Sequence, residues 1–220
     1  MTEILIKDFQ TFHDVIQGYS TTVDIFRGVI NAEYKLLPKL GRPEIVFRGA
    51  LPKVEKEILR LFKDHASPYL PGPNLLDWEL LAIAQHHGLP TRLLDWSRNP
   101  LVAAYFAVEN EYDKDSAVYV LKRQRFLNTE KINPFKVKRV SKFIPPHITP
   151  RITAQSGVFT IHPEPSEPLN SVSIDKLIIV KSFRRQLKKI LYRYGIHRAS
   201  LFPSMDGIAN YIQWLKTDSH

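Results

Sequence analysis

An α+β fold, with early helices packed on a small split β-sheet, is predicted by the order of the periodic segments. Helical patterns lead the chain around one short strand candidate, and three further strand candidates follow. The 220 residues are 44% hydrophobic and 24% charged, which is ordinary globular composition and excludes a disordered chain. We read residues 1–220 as a single domain, with a core of about residues 20–212.

Each element has its own signal. Residues 7–19 place Phe9, Phe12, Ile16 and Tyr19 on one helical face. The segment VDIFRG reads as a short strand closed by Gly28. In residues 51–66, Val54, Ile58, Leu61, Phe62 and His65 recur at helical spacing. Prolines and a glycine in SPYLPGPN then break regular structure. Asp77 is a candidate N-cap for the next helix, which Gly88 closes with Pro90 just beyond. Asn99 followed by Pro100 starts a helix over 101–108. AVYVL (117–121), GVFTIH (157–162) and KLIIV (176–180) are strand candidates, and helices are expected at 183–194 and 204–216. The proline-rich FIPPHITP and HPEPSEP flank the GVFTIH strand as surface excursions.

The chain carries 31 Lys/Arg against 22 Asp/Glu, a net charge of +9. Residues 121–151 hold nine of these cations against one acid, and residues 181–198 hold seven against none. Such local fields favour anionic partners, either nucleic acid or an acidic surface. The bland alternative is a solvated helix face. In 181–198, Phe183, Leu187, Ile190, Leu191 and Tyr194 form one stripe, while Arg184, Arg185, Lys188, Lys189 and Arg193 form the other. With no cysteine, disulfides, thiolate nucleophiles and Cys-bound zinc are excluded. No apolar run reaches the length of a membrane helix and the start lacks a secretory layout, so a cytoplasmic protein is expected.

The densest chemistry lies in QHHGLPTRLLDWSRNP (85–100), read as a helix–loop–helix junction. It gathers His86, His87, Thr91, Arg92, Asp95 and Ser97 beside the start of a helix, where an anion can be accepted. Structural roles compete with this: an Arg92–Asp95 ion pair, Ser97 as a cap and Trp96 as core. Adjacent His86 and His87 point about 100° apart and cannot share a metal from one helix face, so no metal is expected. A Ser97–His–Asp95 triad lacks the G-x-S-x-G elbow. Neither phosphate-binding glycine motif is present. A metal-dependent nuclease would need more carboxylates than Asp77, Glu79 and Asp95.

These residues resemble the FRG-domain family, named for a Phe-Arg-Gly motif. Here the motif is Phe26-Arg27-Gly28, followed by YKLLPKLGR (34–42). QHHGLPTRLLDWSRNPLVAAYFA (85–107), Gln155 with GVFTIH, and GIHRASLFPSMDGIA (195–209) complete the likeness. The family is mostly bacterial or phage-borne, which implies a toxin or anti-phage setting.

The element order also resembles the arginine–serine–glutamate class of ADP-ribosyltransferases. That resemblance implies NAD as substrate, with Arg27 on its phosphates, Ser97 at the start of a helix and Gln155 before a later strand. His86, His87, Thr91, Arg92 and Asp95 would line the same cleft. The departure is Gln155, where the class has a glutamate. An amide hydrogen-bonds a hydroxyl but brings no negative charge, so Asp95 or Glu164 would have to supply it. The competing expectation is a nucleic-acid-binding module without catalysis, using 121–151 and 181–198.

Overall fold

The computed structural model describes residues 1–72, 74–123, 126–144, 149–171 and 173–217. Its seven strands are β1 (Thr2–Ile6), β2 (Ile25–Val29), β3 (Leu93–Ser97), β4 (Ser116–Leu121), β5 (Ser141–Phe143), β6 (Gly157–Ile161) and β7 (Ile174–Ile179). They form one mixed sheet in the order β1-β7-β4-β2-β3-β6-β5. Only β1 and β7 run parallel within it. The described helices are α1 (Phe9–Gln17), α2 (Leu51–Ala66), α3 (Asp77–His86), α4 (Pro100–Val108), α5 (Pro150–Ala154), α6 (Lys181–Arg193), α7 (Arg198–Leu201) and α8 (Met205–Thr217). The fold is α+β.

The sheet is nearly split in the middle. β4 pairs with β2 through five residues and β3 with β6 through five, but β2 meets β3 at the single register Phe26↔Ser97. Each half has its own core. On one side α4 and α6 pack Val102, Ala103, Tyr105, Phe183 and Leu187 against Phe26, Val118 and Leu177. On the other, α2 and α3 pack Leu59, Trp78 and Leu81 against Phe143, Phe159 and Ile161. A third cluster, including Ile25, Leu36, Leu94, Trp96 and Val158, joins the central strands beneath the 30–40 loop.

Several expectations change. The segment after Met1 is a strand, and Leu93–Ser97 is a strand rather than loop, because Leu93, Leu94 and Trp96 are buried despite the surrounding turn residues. β5, α5 and α7 were not anticipated by any spacing. β2 runs through Gly28 to Val29. Leu76 stands at the N-cap of α3 and Asp77 is its first residue; the Glu79 carboxylate accepts from the Leu76 amide. The inward face of α2 centres on Glu55 and Leu59, leaving Leu61 and His65 exposed. In α6, Tyr194 lies just past the helix and is exposed, whereas Arg184 of the expected polar face is buried. Part of FIPPHITP (145–148) lies outside the described residues.

Candidate functional site

The Phe-Arg-Gly segment makes the seam between the half-sheets. Alternation along β2 sends Phe26 into the core and points Arg27 the other way. Gly28 is required by packing: a Cβ there would lie 1.9 Å from the Ala103 carbonyl oxygen of α4. The small residues of α4 therefore press directly on the strand that carries Arg27.

Arg27 reaches across the seam to β3. Its Nη1 donates to the Asp95 carbonyl at 2.5 Å and stands 3.6 Å from the Asp95 carboxylate. Burial works against the guanidinium charge and Asp95 supports it; arginine remains protonated at neutral pH. The Asp95 side chain is 54% exposed yet held in place. Gln85 Nε2 donates to its Oδ2 at 2.7 Å, and Gln85 Oε1 accepts from the Thr91 hydroxyl at 2.6 Å. The dense polar block thus builds a relay from Thr91 through Gln85 to Asp95.

Ser97 sits at the end of β3, where its hydroxyl donates to the Gln155 carbonyl at 2.7 Å and accepts from the Asn99 amide at 2.9 Å. The Gln155 side chain donates to the Leu201 carbonyl at 3.0 Å. One residue of α5, Arg151, spreads its guanidinium 4.5 Å from the Phe202 ring centre, with its Nε buried and unpaired among the described residues. His86, at the end of α3, is pushed down to about 4, first by burial and then by Arg151. It is a neutral imidazole at pH 7.

These groups surround a cleft of about 780 Å³. Arg27, His86, Asp95, Ser97 and Gln155 all line it, with Gln85, Arg42 and Arg151. Trp96, Phe106, Phe159 and Tyr34 supply apolar wall. A space of this size, largely apolar with a few converging polar groups, has the form of a small-molecule site.

The remaining candidates lie elsewhere. His87 is exposed and stacks edge-on against His86, outside the cleft lining. Thr91 is buried; its hydroxyl donates to Gln85 and accepts from the Leu93 amide at 3.1 Å. Arg92 forms no pair with Asp95; it binds the buried Glu55 carboxylate with both Nε and Nη2. Glu164 does not line the cleft. Sequence reasoning missed Gln85, Arg42 and Arg151 as cleft residues. Arg42 stood within YKLLPKLGR, and Arg151 was absorbed into the count of a basic segment.

Three cations of the 181–198 segment have protein partners. Arg184 donates to the carbonyls of Ile30 and Asn110, Lys188 to that of Glu109, and Arg198 pairs with the Glu109 carboxylate. Among the described residues no cluster of His, Asp and Glu is placed to hold a metal ion, and no helix is long and apolar enough to cross a membrane.

A family model described as the FRG domain matches residues 23–116. The match runs from the residues leading into β2 through the first residue of β4, and so includes both strands of the seam. No curated protein and no solved structure matches the chain. The match covers less than half of the chain, and over residues 23–116 the chain is similar to an FRG domain.

Proposed function

We propose that this chain binds an NAD-type nucleotide in the seam cleft and acts as an ADP-ribosyltransferase-like protein in a toxin or anti-phage setting. The supporting observation is convergence: Arg27 on β2, Ser97 on β3 and Gln155 after α5 line one cleft. Ser97 and Gln155, 58 residues apart in sequence, are hydrogen-bonded.

The chemistry assigns each a task. Arg27 keeps Nε and Nη2 without a hydrogen bond among the described residues, so its fork can grip a phosphate. Ser97 ties β3 to the Gln155 backbone and so fixes the cleft floor. Transfer would break the bond between nicotinamide and ribose and form one to an acceptor, with positive charge developing on the ribose. Gln155 offers that charge an amide only. Of the lining carboxylates, Glu33 is paired with Lys114 at 3.0 Å, which leaves Asp95 and Glu44. Binding is therefore expected to be firm and transfer slow.

Thermal denaturation with NAD or ADP-ribose tests the reading. Ligand at 100 times its dissociation constant should add about 2.7 kcal/mol, and Arg27→Ala should abolish the gain. An unchanged melting temperature at millimolar NAD would count against it. For catalysis, Gln155→Glu should raise nicotinamide release from NAD at least about tenfold, equivalent to about 1.4 kcal/mol, by aiming a charge at the ribose. A variant no faster than the parent would separate binding from transfer.

A further inference from the structure

Three guanidiniums line the cleft, and two of them, Arg27 of β2 and Arg151 of α5, share it with the exposed carboxylate of Asp95, beside Arg42, Glu33 and Glu44. Arg27 holds that carboxylate only loosely, at 3.6 Å, while its firmer bond goes to the backbone carbonyl. Arg151 forms no ion pair among the described residues, and its buried Nε is unpaired. Burying such a donor without a partner is costly. Asp95 acts electrostatically on both cations, favouring the charge of each. It is also aimed, since Gln85 and Thr91 fix its orientation. A surface carboxylate with no role in the cleft would not need that relay.

We propose that Asp95 is a resident anion which keeps the place of a ligand diphosphate, balancing Arg27 and Arg151 in the free protein and turning out when a diphosphate enters. The inference rests on the nucleotide reading and deepens it. It names the ligand class as a diphosphate rather than a nucleoside. It also makes Arg151 the second phosphate ligand, and Gln85 and Thr91 positioning residues. The device stores affinity: the ligand must displace a carboxylate already favoured by two cations, so the wild-type chain binds more weakly than its guanidiniums allow.

Calorimetric titration with ADP-ribose, ADP and adenosine tests this on the full chain and on Asp95→Asn, Arg151→Gln and Glu44→Gln. Asp95→Asn should tighten ADP-ribose and ADP about tenfold, the equivalent of about 1.4 kcal/mol, and leave adenosine unchanged. Arg151→Gln should weaken both diphosphates about tenfold. Glu44→Gln, which removes a charge from the same cleft without touching the relay, should change them less than twofold. Equal tightening by Glu44→Gln and Asp95→Asn would reduce the effect to net charge and overturn the place-holder. Weakening by Asp95→Asn would overturn it while leaving the nucleotide reading intact. Absence of all diphosphate binding, in parent and variants alike, would overturn both.

Discussion

Arg27 and Arg92 are the same residue type in two regions of one sheet, and they meet opposite environments. Beneath α2, the Arg92 side chain is 8% exposed and its partner Glu55 2% exposed. Two parallel hydrogen bonds join the pair, with the Phe135 ring 5.2 Å from the guanidinium. At the seam, Arg27 uses one nitrogen, faces a carboxylate that is half in water, and borders a cleft. A fork-like bidentate pair closed off from solvent is structural. A guanidinium with spare donors beside an opening is available to a ligand. Neighbours, rather than residue type or motif membership, decide which arginine is which.

The largest expected effect breaks the Arg92 side of the comparison. Arg92→Ala leaves Glu55 buried and unpaired, which typically costs about 3–5 kcal/mol. Urea denaturation should show that loss, and joint replacement by Arg92→Met and Glu55→Leu should recover most of it. A single variant as stable as the parent would mean that this pair does not hold α2 to the sheet.

The next effect is acidic. His162 is 1% exposed, bonds Thr160 at 2.9 Å, and is held down to about 4 by burial and then by Arg27. The unfolded chain takes this proton near pH 6.5 and the folded one only near 4. Stability is therefore full above about pH 6.5 and declines as pH falls towards 4. At roughly 1.36 kcal/mol per unit, the loss is on the order of 3 kcal/mol. His86 contributes in the same window, reduced by its greater exposure. Stability curves against pH for His162→Gln and the parent should diverge between these limits. Parallel curves would show that His162 is not kept neutral by the fold.

The smallest effect sharpens the contrast. Arg27→Ala should cost about 1 kcal/mol or less in denaturation, because Asp95 is left in water, while removing the nucleotide response. Destabilisation as large as that of Arg92→Ala would make Arg27 structural as well.

Six of the eight described helices and four of the seven strands were legible because their apolar periodicity is long or bounded by turn residues. β3 was hidden: Gly88, Pro90 and Asn99–Pro100 crowd five residues that include Asp95, so the segment reads as loop. The Glu55–Arg92 pair was hidden too, since a charge on the inward face of a helix contradicts the amphipathic pattern and its partner is 37 residues away. Arg27, Ser97 and Gln155 came from resemblance; no spacing joins them. Arg151 could not be separated from its basic neighbours, because charge counting does not record that its Nε is buried at a cleft wall.

A crystal structure with ADP-ribose is the most direct measurement. The diphosphate should lie between β2 and β3, with oxygens within hydrogen-bonding distance of the Arg27 guanidinium. The same ligand bound on the α6–α8 face, with Arg27 still closed on Asp95, would contradict that placement.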